Sequence, residues 1–286
     1  MAYLLELIKA LLYGIVFAVT EWLPAGSEAH ILMLDGILPF ELYPDAEMNQ
    51  RFLGLFLPVL HLAAAGSAAA LFYARLWPFS KRKSKEKKHA LLRIWLLVLI
   101  PVSVLLIVSV LFGAALEHRI SSPIVIAFIT ILAGAVLIIS DRIMKKPRVF
   151  ELKEMTLKET GAAGLPQLFA LIPGVSRSGT AMIGGQLAGM NRTSAAELMC
   201  CLAIPSLLGT GLIKLAAVNV QWNLQMIPVL ISGISGVFFM TLFTIRTFLG
   251  YLKTGGLHLF GYYRIIAGLV LLILALLGAV PGGLVY

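Results

Sequence analysis

Six stretches of this sequence, at about 52–74, 94–112, 122–140, 194–217, 226–249 and 260–280, are almost uncharged. Each runs for the ~20 residues that carry a helix across a bilayer. That repetition restricts the fold class to an all-α integral membrane protein, because hydrocarbon admits only segments that satisfy their backbone groups internally. With 59% hydrophobic and 13% charged residues and a mean hydropathy of +0.94, a soluble core could not hide the apolar surface. The net charge of +9 sits in short loops between apolar runs, as the positive-inside rule produces, so nucleic acid is excluded as a partner. Cys200 and Cys201 lie together in an apolar run and are read as packing residues. The N-terminal run carries Glu6 and Lys9 and is read as a retained helix rather than a signal peptide.

Two further apolar stretches are interrupted. Residues 3–20 lead to Glu21-Trp22-Leu23-Pro24-Ala25-Gly26, after which a short run resumes at 27–34. Residues 160–172 and 176–189 flank Pro173-Gly174 in the same way. Pieces this short, separated by proline and glycine, predict re-entrant pairs rather than full spans. Pro24 and Ser27 align with Pro173 and Ser176 at one constant offset of about half the chain. Lys81, Arg82, Lys83 and their neighbours make 75–93 strongly basic, and Arg142, Lys146 and Arg148 mark 141–159; both loops are assigned to the cytoplasm. The acidic loop 35–51 and the turn 113–121 then fall outside. Threading the chain through these constraints gives an inverted-topology repeat, with halves at about 1–145 and 146–286 in one domain of about six full spans.

The breaks carry the chemistry. Ser27 and Ser176 each open a half-helix, whose unpaired N–H groups and partial positive charge suit phosphate oxygens. Arg177 adds a planar fork of donors. Ser176, Ser178 and Thr180 add hydroxyls, and Gly174 and Gly179 allow close backbone approach. A membrane arginine without an anion is costly, which favours a ligand over simple helix capping. Glu21 is an embedded carboxylate suited to a hard divalent cation such as Mg²⁺. Ser27 and His30, three apart, face one way and can serve as nucleophile and base, or His30 can protonate a leaving phosphate. Glu28 is either a second metal ligand or water-facing. Gln167 precedes the second break and is available to orient a phosphate or a metal-bound water. His61 is left between packing and site roles. His89, His118 and His258 are read as loop residues, Arg192 and Glu197 as partners, and Arg246 and Arg264 as snorkelling. The ligand implied is a phosphorylated lipid.

At these residues the sequence resembles the bacitracin-resistance family of undecaprenyl-pyrophosphate phosphatases, over essentially its whole length. Gln167-x-x-Ala170-x-x-Pro173-Gly174-x-Ser176-Arg177-Ser178-Gly179-Thr180 is similar to that family's phosphate-binding signature. Thr20-Glu21-x-Leu23-Pro24-x-x-Ser27-x-x-His30 is similar to its other active-site segment. Weaker likenesses are His61-Leu62, Ala196-Glu197 with Ile204-Pro205, and Phe260-Gly261-Tyr262-Tyr263-Arg264. The resemblance implies a bacterial plasma-membrane enzyme that removes one phosphate from the C55 carrier of cell-wall synthesis. It implies Glu21, Ser27 and His30 as catalytic residues, and Gly174, Ser176, Arg177, Ser178, Thr180 and Gln167 as substrate-binding ones. It further implies a divalent cation, Mg²⁺ or Ca²⁺, for which Glu21 is the retained ligand and Glu28 the candidate to stand in for the missing one, and a site open to the outside. Phe17 stands where the family pairs a second glutamate with Glu21, and the family's Ser-Ser-Thr-Gly-His run reads Gly26-Ser27-Glu28-Ala29-His30. A lipid-phosphate carrier built on the same inverted repeat is the competing reading. Expected partners are the polyprenyl pyrophosphate and membrane lipids; the sequence leaves a homodimer open.

Overall fold

The structure, a computed structural model, describes residues 2–144, 146–219 and 223–283. Lys145, the expected boundary between halves, lies outside the described residues. The described residues are mostly helical: α1 (Ala2–Trp22), α2 (Ser27–Ile37), α3 (Ala46–Leu76), α4 (Lys85–Ile120), α5 (Pro123–Ile143), α6 (Leu157–Gly164), α7 (Arg177–Leu187), α8 (Arg192–Ala217), α9 (Met226–Tyr251) and α10 (His258–Leu276), with 3-10 segments at Leu152–Glu154 and Leu165–Leu171. The only β feature among the described residues is a single bridge between Val149 and Met190.

Seven of these helices are long and apolar enough to cross a membrane, one more than the sequence reading assigned. The addition is α1, which runs unbroken for 21 residues because nothing before Pro24 interrupts its hydrogen-bond ladder. The stretch before the second break is interrupted instead: α6 stops after 8 residues and Pro166, lacking an N–H, stands in the first turn of the tighter 3-10 segment. α2 and α7 have 11 residues each, about 16 Å, well short of the ~30 Å hydrocarbon layer. α4 reaches from Lys85 to Ile120, so the backbones of His89 and His118 are helical rather than loop.

α1 packs on α9, α3 on α8 and α9, α5 on α10, and α4 on α8, α6 and the Leu165–Leu171 segment. Small residues permit the closest of these contacts, as in membrane helix pairs generally. A Cβ on Gly134 would stand 2.7 Å from the Gly261 carbonyl oxygen, and one on Gly261 would stand 2.6 Å from that of Gly134. Leu96, Phe112, Leu132, Phe239 and Leu276 point outward from α4, α5, α9 and α10, an apolar rim matched to lipid tails. The two breaks are enclosed by this bundle and touch each other: the Ser178 hydroxyl donates to the carbonyl of Leu23 at 2.8 Å.

Candidate functional site

Each break turns at a glycine that no other residue would replace without strain. Gly26 has φ 85° and Gly174 φ 92°, in the left-handed region. After Gly26, α2 begins without any side-chain cap. Glu21, on the last turn of α1, takes up the slack: its Oε2 accepts the hydroxyl of Ser27 at 2.8 Å. Its other oxygen lies 3.7 Å from Nε of Arg177, an ion pair between side chains only 9% and 16% exposed. Arg177 is held from behind by α8, with Nη1 donating to Ser206 Oγ at 3.2 Å and Thr210 Oγ1 at 3.4 Å. Acid, hydroxyl and guanidinium therefore meet across the two breaks.

A cavity of about 270 Å³ adjoins this group, lined by Ser27, Glu28, Arg177, His61, Phe17 and Thr210 among others. Phe17 presents its ring edge-on to His61, with centroids 4.9 Å apart, and His61 Nδ1 donates to the Leu57 carbonyl at 2.8 Å. Glu28 faces this cavity, within electrostatic range of Glu21, Arg177 and Lys214. Among the described residues there is no cluster of three histidine, cysteine or carboxylate ligands. The Glu28 carboxylate on the cavity, with Glu21 behind Ser27, suits a hard cation completed by phosphate oxygens, not a closed protein cage.

Several placements differ from the sequence reading. His30 does not meet Ser27: its Nδ1 donates to the Gly26 carbonyl at 2.7 Å, which leaves Nε2 of the neutral ring to accept the Tyr263 hydroxyl at 2.6 Å. The hydroxyls after the second break are engaged within the protein. Ser176 caps α7 by accepting the Gly179 N–H at 3.2 Å and lies 3.0 Å from Ser178, while Thr180 donates to the Arg177 carbonyl at 3.0 Å. Ser176 and Thr180 line a separate apolar groove between α5 and α7. Gly174 is pressed against α5, where a Cβ would stand 2.9 Å from the Ile126 carbonyl oxygen. Gln167 is 1% exposed, and its Oε1 has no hydrogen-bond partner, which singles it out among the described residues. Arg192 and Glu197 find other partners, Asp141 at 2.9 Å and Arg75 at 2.5 Å.

Arg264 does not snorkel. It is 1% exposed and donates to the carbonyl of Gly174 beyond one break and, at longer range (3.5 Å), to those of Pro24 at the other and Thr130 of α5. The sequence signals for this role were a charge near the start of an apolar run and the weak family likeness at 260–264, and nothing marked its partners, which are backbone oxygens.

An acid–serine–arginine group thus stands where the two interrupted segments meet. Residues 10–270 match the family model of bacitracin resistance protein BacA. The chain belongs to the BacA family. It is 34% identical over 268 residues, 93% of this chain and 96% of the relative, to an undecaprenyl-diphosphatase of Lachnoclostridium phytofermentans. It is 33% identical over 271 residues to undecaprenyl-diphosphatase 1 of Clostridioides difficile, covering 94% of this chain and 96% of that protein. An undecaprenyl-diphosphatase of Enterococcus faecalis matches at 31% over 274 residues, covering 94% and 97%. The BacA match includes both breaks and every helix that lines the cavity.

Proposed function

We propose that this multi-pass membrane protein is an undecaprenyl-diphosphate phosphatase, releasing inorganic phosphate and undecaprenyl phosphate and so recycling the lipid carrier of cell-wall synthesis. The observation that carries the reading is Glu21, set between the Ser27 hydroxyl at 2.8 Å and Arg177 at 3.7 Å. In this mechanism Ser27 Oγ attacks the terminal phosphorus while its proton passes to Glu21 Oε2. The bond from phosphorus to the bridging oxygen breaks, and that oxygen leaves on undecaprenyl phosphate, which needs no proton. Arg177 faces the charge gathering on the transferred phosphoryl group. Water then attacks the phosphoserine, Glu21 returns its proton to Ser27 Oγ, and both protons of the water depart on the inorganic phosphate.

His30 and Tyr263 act as positioning residues, fixing the Gly26 carbonyl and with it the break that presents Ser27. Ser176, Ser178 and Thr180 shape the first turn of α7 so that Arg177 faces the cavity. Glu21 Oε1 and the Glu28 carboxylate are the oxygens available to Mg²⁺ or Ca²⁺. Such an ion, when bound, neutralises phosphate charge and polarises the phosphoryl group. The cavity lining includes Gly113, Ala114 and Glu117, beside the turn that loop charges assign to the outside. We therefore place the opening on the outer face of the plasma membrane, in an inverted-repeat frame that pairs α3 with α8 and α5 with α10, helices that pack on each other.

The test is phosphate release from a polyprenyl diphosphate by purified protein, with Mg²⁺ or Ca²⁺ and with a chelator. Release with either ion, suppressed by the chelator, is expected. Lipid binding without release under either ion would replace the enzyme by a carrier, a reading that the relatives' names do not favour.

A further inference from the structure

Two cations line the cavity, and the mechanism above uses one. Ser206, Thr210 and Lys214 recur every four residues along one stripe of α8. The first two hold Nη1 of Arg177. Lys214 stands one turn beyond Thr210, about 6 Å along the helix, and lines the same cavity. Its ammonium is ion-paired with Glu117 of α4, which also lines the cavity. Both side chains are about a quarter exposed, 23% for Lys214 and 27% for Glu117, against 16% for Arg177. The pair is thus less buried than Arg177.

A diphosphate presents two phosphoryl groups in series, and the product presents one. We infer that Lys214 binds the second, lipid-proximal phosphoryl group, and that Glu117 holds the ammonium in place until substrate displaces it. This assignment rests on the phosphatase reading and deepens it: Arg177 takes the group being transferred, and Lys214 takes the group that stays on the lipid. Exchange is cheap at this position. Glu117 is left partly hydrated rather than buried, and the ammonium trades one oxyanion for another. A lysine one turn of α8 beyond the residues that hold Arg177 makes the site a reader of diphosphate over monophosphate.

Steady-state kinetics on a polyprenyl diphosphate separates this role from a structural tie between α4 and α8. Lys214→Met is expected to raise KM by about 10–100-fold, the loss of a charge-assisted phosphate contact, with kcat changed less than about threefold. Lys214→Arg restores most of the affinity, and Glu117→Gln, which removes the competing carboxylate, lowers KM or leaves it unchanged. Should both Lys214→Met and Glu117→Gln raise KM equally with matching losses of thermal stability, the pair is a structural tie and the inference is overturned. Wild-type KM in Lys214→Met overturns it as well. Failure of the wild type itself to release phosphate is a different result and removes the phosphatase reading instead.

Discussion

The two breaks share the pattern Pro-x-x-Ser and a left-handed glycine, yet their serines do opposite things. At the first break α2 opens with no side-chain cap, and Ser27 turns its hydroxyl back to Glu21 at 2.8 Å. At the second, Ser176 is itself the cap of α7, accepting the Gly179 N–H at 3.2 Å, and Ser178 is committed to the carbonyl of Leu23 at 2.8 Å. What the second break delivers to the cavity is Arg177. The contrast shows a division of labour: one break keeps a hydroxyl available beside an acid, and the other uses its hydroxyls to hold a cation in place. A carboxylate one turn before the break is what makes the difference, since residues 160–172 contain none.

Exchanging roles between the breaks tests this division, beginning with the largest effect. Ser27→Ala should cut phosphate release by about 10³-fold or more while leaving lipid binding within about threefold, measured by single-turnover release and equilibrium binding. A loss confined to KM would remove Ser27 as the attacking group. Arg177→Ala should follow, at about 10²–10³-fold in kcat/KM, because it removes the phosphate fork and leaves Glu21 buried without its counter-charge, an imbalance typically worth about 3–5 kcal/mol. Near-wild-type activity in that variant would dissolve the proposed clamp.

Arg264→Met addresses what holds the breaks together. It strips donors from the carbonyls of Gly174 and Pro24 and should lower stability by about 2–4 kcal/mol, read as a fall in the thermal midpoint in detergent. Unchanged stability would mean that the breaks are fixed by helix packing alone. Ser176→Ala is the mildest change, losing a helix cap worth about 1 kcal/mol, with activity within about tenfold of wild type. A loss as large as that of Ser27→Ala would erase the asymmetry between the two breaks and return Ser176 to the phosphate itself.

Much of this was legible in the residues. Hydropathy located every span from α3 onward, because hydrocarbon demands about twenty apolar residues wherever a helix crosses it. Embedded charge located Glu21 and Arg177, because such groups are retained in apolar segments only for a purpose. The sequence reading stopped α1 short, since Glu21 and Trp22 look like an ending although the helix continues through them to Trp22. It joined Ser27 to His30 on spacing alone, whereas His30 reaches Tyr263, 233 positions away.

The sequence by itself determined the solvent of this protein, the number and placement of its breaks, and the few charges inside them, all properties of short stretches read against a bilayer. Tertiary structure decided which hydroxyl faces the acid, that Arg264 clasps carbonyls of both breaks, and that Lys214 shares a cavity with Arg177. The physical reason is reach. Helical periodicity orients a side chain relative to neighbours three or four residues away. The Ser178–Leu23 and Arg264–Gly174 contacts join residues 155 and 90 apart, and only the packing of whole helices brings those together.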